Sequence, residues 1–329
     1  MNVRAVPHLL LVNLGTPTAP LDGAVRQFLD EFLSDPSVVD LPRWLWLPIL
    51  KGIVLKSRPK RVAQQYASIW TAEGSPLRVA TERIAKALEC RAQGRYTVGV
   101  AYRYGEPSLD AALVTVANTT SGPVIVVPLF PQRTDATTGT MLRRAREAAV
   151  RAGVADRLVE RLVVADEPGY VAAMACRWNE AVADAPTQPE HIVVSFHGIP
   201  VRYDRRERSV YAEDCRATML AFLKAIEWPE SHATLAFQSR FGPEAWLTPA
   251  TADVLEELPR RGVRRVAVIT PGFVTDGLET IEEIGIRGRE RFLEAGGTYL
   301  LRVGAVEDHP AFLDALEGLA FVNGMEATV

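Results

Sequence analysis

The residues best able to do chemistry fall in two short stretches. His197 closes the apolar run IVVSF and precedes Gly198 and Pro200, so it sits in the loop after a strand-like segment. A histidine there, with an ordinary pKa of about 6.5, can take a proton or hold a metal near neutrality. Asp276, Glu279 and Glu283 follow the strand-like VAVI and the stop Pro271-Gly272, at i, i+3 and i+7. On an α-helix this spacing lines the carboxylates along one face. One imidazole with two or three carboxylates suits transient binding of Fe2+ or another first-row divalent ion. It does not suit structural zinc, because Cys90, Cys176 and Cys215 are widely separated with no CxxC. Each residue also has a plainer use. Asp276 and Glu279 can form a capping box, Glu283 can pair with Arg287, and His197 can be a hydrogen-bonded structural residue or lie on the surface.

The elements that must position these residues read as alternating strands and helices. Strand-like runs fall at 9–13, 96–102, 123–127 and 158–165 in the first half, and at 191–196, 233–239, 264–270 and 298–303 in the second. They are short, rich in β-branched residues and ended by turn chemistry, as buried parallel strands are. Ligands of such sheets bind beyond the carboxyl ends of the strands, where both His197 and the acidic row begin.

The loops repeat as well. LGTP (14–17) resembles HGIP (197–200), AYRYG (101–105) resembles QSRFG (238–242), and VVPLFP (126–131) resembles VITPGF (268–273). One doubly wound unit used twice is the simplest explanation. The expected fold is therefore α/β: two Rossmann-like domains, 1–168 and 169–329, each with a four-stranded parallel sheet, and a cleft between them. Helices over 168–184 and 309–321 should connect the domains and close the chain. The first half carries about 46 extra residues between its matched loops, an insert at about 36–72. Its apolar part, 41–55, is interrupted by Arg43, Pro48 and Lys51, whereas a bilayer span needs about 20 apolar residues. Trp44 and Trp46, followed by Lys56, Arg58, Lys60 and Arg61, fit a lip lying at a membrane surface. The plainer alternative is a core helix or a dimer contact.

Several functions drop out. A net charge of −3 argues against a general nucleic-acid binder. LGTP stands where a G-x-G-x-x-G cradle would be, and there is neither a Walker A motif nor a G-x-S-x-G elbow. Only Arg4 precedes the first strand as a charged residue, so no secretory or transit peptide is expected, and the scattered cysteines suit a cytoplasmic protein with reduced thiols.

Taken in order, VNLGTP (12–17), the basic run ending in Pro59-Lys60-Arg61, GSPL (74–77), RYG (103–105), PLFPQ (128–132), SFHGIP (195–200), FQSRFGPEAWLTP (237–249) and PGFVTDGLETIEEI (271–284) resemble ferrochelatase, across almost the whole chain. The resemblance implies insertion of Fe2+ into protoporphyrin IX to give protohaem, the last step of haem b synthesis. It implies His197 and Glu279 as the central catalytic pair, with Asp276 and Glu283 extending an acidic metal path. Arg103, Tyr104, Gln238, Ser239 and Trp246 would line the porphyrin pocket, and Leu14 would press on the ring from the opposite side. Phe273 could add a flat wall, Arg103 could meet a propionate or Glu106, and Lys60 and Arg61 are further propionate candidates. Many animal-type members carry histidine where this chain has Gly277, so no accessory metal role falls there. Cluster-bearing members use cysteines near the C-terminus, and none follows Gly318 here, so no iron–sulfur cluster and no tightly bound cofactor is expected. The partners would be the porphyrin, ferrous iron and, through 41–61, the inner face of a membrane, with the protein a monomer or weak homodimer. The rivals are a coproporphyrin ferrochelatase, a cobaltochelatase, or a haem or tetrapyrrole carrier without catalysis.

Overall fold

The computed structural model describes residues 5–242 and 244–321. Arg4 and the tail beyond Phe321, on which the leader and cluster expectations partly turn, lie outside the described residues. Among the described residues eight strands form: β1 (His8–Asn13), β2 (Thr97–Tyr102), β3 (Val124–Pro128), β4 (Leu158–Glu160), β5 (His191–His197), β6 (Ala233–Gln238), β7 (Arg265–Ile269) and β8 (Tyr299–Arg302). Each strand lies within a residue of its expected segment except β4, which stops at Glu160 where 158–165 was expected. It is an edge strand paired only with β3, and only over three residues.

Two parallel four-stranded sheets result, ordered β2-β1-β3-β4 and β6-β5-β7-β8. The order is the same in both, which is what the repeated loops require. Every residue of β1 is buried, and so is every residue of β5 before His197. A parallel strand covered on both faces must be apolar on both faces, and LLLV and IVVSF are.

The chain divides into two compact units. The described residues of Met1–Leu129, Asp135–Val163 and Leu316–Val329 form one, and Phe130–Thr134 with Val164–Ala315 form the other. In the second unit Val193, Val254, Val266 and Leu300 pack with Ile284 and Phe292, which fixes the acidic helix to its sheet. The helices expected at 168–184 and 309–321 run over Pro168–Ala183 and Pro310–Phe321.

The insert is one helical run: Arg43–Ile49, a π-helical turn Leu50–Val54, then Leu55–Ala67. Pro48 lacks an N–H, and the i→i+5 turn begins just after it. One face is a core. Trp46, Leu50 and Leu55 are buried with Leu29 and Leu33 of the helix Asp22–Leu33. Trp46 is only 9% exposed and donates its indole N–H to the Leu33 carbonyl at 2.6 Å. The expectation of two lip tryptophans is thus corrected: Trp46 faces inward, while Trp44 is 79% exposed. Among the described residues no helix is long and apolar enough to cross a membrane.

Candidate active site

His197 is the last residue of β5 and pairs in register with Gln238 at the end of β6. The chain turns sharply there. A Cβ on Gly198 would lie 2.8 Å from the Gln238 carbonyl oxygen and 3.1 Å from the Trp246 ring, so only glycine fits. The close approach lets the Gly198 N–H donate to that carbonyl at 2.8 Å. His197 Nδ1 in turn lies 2.7 Å from the Gly198 carbonyl oxygen. A carbonyl can only accept, so Nδ1 carries a proton, and in the neutral imidazole the lone pair is on Nε2. The His197 carbonyl accepts the Tyr211 hydroxyl at 2.7 Å, and the Phe273 ring stands 6.5 Å from the imidazole. The Trp246 indole N–H is buried with no partner among the described residues.

Gln238 ties the strand ends to the acidic segment. Its side-chain oxygen accepts the Ser195 hydroxyl at 2.8 Å, and its amide donates to the Glu279 carbonyl at 2.8 Å. Ser239, the next residue, has φ 64°, a left-handed conformation that a Cβ disfavours. That turn aims both its N–H and its hydroxyl at the Glu283 carboxylate, at 2.8 and 2.6 Å.

The acidic residues do not stand as one row on an α-helix. Leu278–Gly288 is a π-helix, and Asp276 precedes it. Asp276 accepts from Arg302 at 2.8 Å and from the Thr280 hydroxyl at 2.7 Å. Thr280, not Glu279, reaches back to the Gly277 N–H at 2.9 Å. Arg287 pairs with Glu282 at 2.8 and 2.9 Å and leaves Glu283 to Ser239. Both halves of the plainer reading, the Asp276–Glu279 capping box and the Glu283–Arg287 pair, are therefore replaced by other partners.

Glu279 forms no ion pair among the described residues. Burial pushes its carboxyl above the usual range, Glu283 and Glu282 push it up further, and a protonated His197 pulls it back. A desolvated carboxyl beside an imidazole is a pair able to exchange protons. Among the described residues no three His, Cys, Asp or Glu side chains gather into a metal cage. What the fold brings together is His197, Glu279, Glu283, Gln238 and Ser239, with Asp276 held aside by Arg302.

The first unit places its candidates separately. Leu14 follows β1 and is partly exposed, with its N–H held by the Asn13 side chain at 2.8 Å. Gly15 has φ 106°, and a Cβ there would lie 1.8 Å from the Tyr104 carbonyl oxygen. The repeated glycines thus do the same work, letting the loop after a first strand cross the end of the second. Arg103 pairs with Asp35, not with Glu106, whose carboxylate accepts the Ser108 N–H at 2.9 Å. The Tyr104 hydroxyl and the Thr140 hydroxyl reach the same Asp35 oxygen at 2.8 and 2.9 Å. Asp35, Arg103 and Thr140 border a polar cavity of about 270 Å3. Tyr104 is buried, whereas Lys60 and Arg61 are exposed on Leu55–Ala67. Sequence reasoning missed Asp35, Tyr211 and Thr251, whose hydroxyl lies 2.7 Å from that of Ser195; the side chains of all three bond residues that are not their neighbours in sequence.

Comparison with known proteins gives a consistent result. The sequence model described as Ferrochelatase matches residues 8–323. The ferrochelatase of Pectobacterium atrosepticum is 41% identical over 320 residues, covering 94% of this chain and 96% of that protein. That of Neisseria gonorrhoeae is 40% identical over 318 residues, covering 96% and 93%. Among solved structures, SirB from Bacillus subtilis with Fe3+ gives a TM-score of 0.57 at 12% identity, covering 96% of both chains. The sirohydrochlorin chelatase SirB of Bacillus subtilis subspecies spizizenii, in complex with cobalt, gives 0.56 at 11% identity, covering 96% of this chain and 95% of that one. At such identities these structures speak for the fold.

Proposed function

The chain belongs to the ferrochelatase family, an enzyme inserting iron into a porphyrin, and from that premise we propose that its substrate is protoporphyrin IX and its product protohaem. The observation that carries the site assignment is the His197 tautomer. Nδ1–H is committed to the Gly198 carbonyl, so Nε2 is left as an acceptor beside a desolvated Glu279.

Metal insertion requires two pyrrole N–H protons to leave as Fe2+ enters. His197 Nε2 takes a proton, and Glu279, with its raised carboxyl, is poised to take or relay the next. Buckling the ring exposes nitrogen lone pairs, a strain of about 1–5 kcal/mol drawn from contacts at the porphyrin periphery. Glu283, gripped by Ser239, and Asp276 beyond it supply oxygen ligands that ferrous iron can meet and leave. Phe273 and Trp246 offer flat walls next to His197, and Leu14, Arg103, Tyr104, Lys60 and Arg61 remain the porphyrin candidates that the resemblance names in the first unit. No resident cofactor or iron–sulfur cluster enters this reading.

We further assign the enzyme to the cytoplasm, as a monomer or weak dimer at the inner membrane surface, with no nucleic-acid partner. Leu41, Trp44, Leu45 and Ile53 are all exposed on the insert, close in sequence to the exposed Lys51 and Lys56. A porphyrin as apolar as protoporphyrin gains from passing directly out of lipid.

The test is anaerobic metal insertion by the purified protein, followed by porphyrin absorbance, with protoporphyrin against coproporphyrin and Fe2+ against Co2+. A clear preference in kcat/KM for Fe2+ and protoporphyrin is expected. A preference for coproporphyrin or cobalt moves the chain to a sister chelatase. Tight porphyrin binding without turnover makes it a carrier.

A further inference from the structure

A second cavity, of about 310 Å3, lies in the C-terminal unit between the π-helix and the edge strand β8. Ile281, Ile286, Leu300 and Leu301 give it aliphatic walls, and Arg289 and Arg302 give it charge. Among the described residues no carboxylate lines it, neither Glu279 nor Glu283 included. Arg289 is exposed and forms no ion pair among the described residues. Arg302 is engaged on one side: its stem crosses Gly285, where a Cβ would lie 3.0 Å from Arg302 Cδ, and its Nη1 donates to Asp276 at 2.8 Å.

Aliphatic side chains set among two guanidiniums, in a lining more polar than apolar, complement an anion that carries a short hydrocarbon body. We propose that this cavity binds a small amphipathic carboxylate, and that seating it draws Arg302 away from Asp276. Liquid water occupies about 30 Å3 per molecule, so the cavity suits a ligand on the order of ten non-hydrogen atoms, far smaller than a porphyrin. Arg302 can face Asp276 or the incoming carboxylate, and a ligand that binds better when it faces inward shifts that balance. Asp276 then loses its cation, immediately before the helix that carries Glu279 and Glu283. This last step rests on the ferrochelatase reading: a released Asp276 adds negative charge to the iron path and lowers the apparent KM for Fe2+.

Calorimetric titration of the full chain with octanoate, octanol and acetate separates the two recognition elements. Octanoate should bind at least about tenfold more tightly than either, and Arg289→Gln should lose at least about tenfold of its affinity while keeping its circular dichroism. Octanol binding as well as octanoate, a folded Arg289→Gln binding like wild type, or no octanoate binding at all overturns the site. In the insertion assay, octanoate should lower the Fe2+ KM of wild type by about twofold or more and leave that of Arg289→Gln unchanged. Intact binding with an unchanged KM overturns the link to Asp276. A wild type that binds octanoate but inserts no iron overturns the ferrochelatase reading and leaves the site standing.

Discussion

His197 owes its usefulness to the fate of its other nitrogen. The Gly198 carbonyl holds Nδ1–H, which in the neutral imidazole leaves Nε2 the lone pair that the proposed base requires. His197→Ala should lower metal insertion 10²–10⁴-fold with unchanged circular dichroism, and near-normal turnover in the folded variant removes the residue from the mechanism. The two glutamates should separate. Glu279→Gln should depress turnover at every iron concentration and remove an activity limb that rises with pH above the ordinary carboxylate range, since burial raises this carboxyl. Glu283→Gln should instead raise the iron concentration required, and Ser239→Ala, which loosens Glu283, should do the same with kcat intact. Equal, modest effects from both glutamates would return them to structural charge. Asp35 is a different case. Burial alone would raise its carboxyl, but bonds from the Ser37 N–H, Tyr104, Arg103 and Thr140 outweigh burial and hold it low. Its contribution is therefore present above the unfolded carboxylate range and lost as pH falls through the depressed folded value. Asp35→Asn should cost about 3 kcal/mol in urea unfolding, because it leaves a largely buried Arg103 unpaired. The positions of His197 at the end of a strand and of Glu279 on the helical segment after β7 were legible from local pattern. Asp35 was not, because its side-chain partners lie 68, 69 and 105 residues away.

At the scale of elements, type was legible and hydrogen-bond pattern was not. The turn at Pro271-Gly272 and the apolar positions of 278–288 announce a helix, but eleven residues hold too few apolar positions to tell i→i+4 from i→i+5 bonding. The tertiary grip of Gln238 on the Glu279 carbonyl and of Ser239 on Glu283 has no trace in the local pattern. A feature of β1 and β5 also went unread. Both strands open on a buried histidine bonded to a threonine of the next strand, His8 to Thr97 at 2.7 Å and His191 to Thr234 at 2.8 Å. Desolvation pushes both imidazoles down to about 4, and at His191 the Arg261 and His232 charges add to it. The unfolded chain, with values near 6.5, takes protons first, so this stability is full above that pH and drains as pH falls from 6.5 towards 4. For His8 the loss amounts to about 3 kcal/mol. Urea midpoints of wild type at pH 7 and pH 5 should differ by more than those of His8→Gln/His191→Gln. An equal difference would show that other groups govern acid sensitivity.

At the scale of the molecule, the internal repeat was the most informative signal. Four strand-like runs in each half gave the number of strands per sheet, and the matching loops anticipated one unit used twice, as the shared strand order bears out. The insert broke the symmetry visibly in length, but its inside and outside were not separable by composition: Trp44 and Trp46 are two residues apart and equally apolar. Helix geometry separates them, since one faces the Leu33 carbonyl and the other water. That division makes the membrane reading testable by contrast. Trp44→Ser, at a 79% exposed position, should leave thermal stability within about 0.5 kcal/mol, weaken binding to anionic vesicles and raise the porphyrin KM with kcat kept. Trp46→Ser should cost about 3–5 kcal/mol of stability by opening the Leu50–Leu55 core. Reversing Lys56, Lys60 and Arg61 to Glu should weaken vesicle binding in a salt-dependent way, by about 1 kcal/mol for each charge at the surface. Co-sedimentation with anionic and neutral vesicles, beside kinetics with and without lipid, reads all three. If wild type ignores vesicles, or Trp44→Ser binds them as wild type does, the exposed face of 41–61 is a protein contact and the porphyrin reaches the enzyme through water.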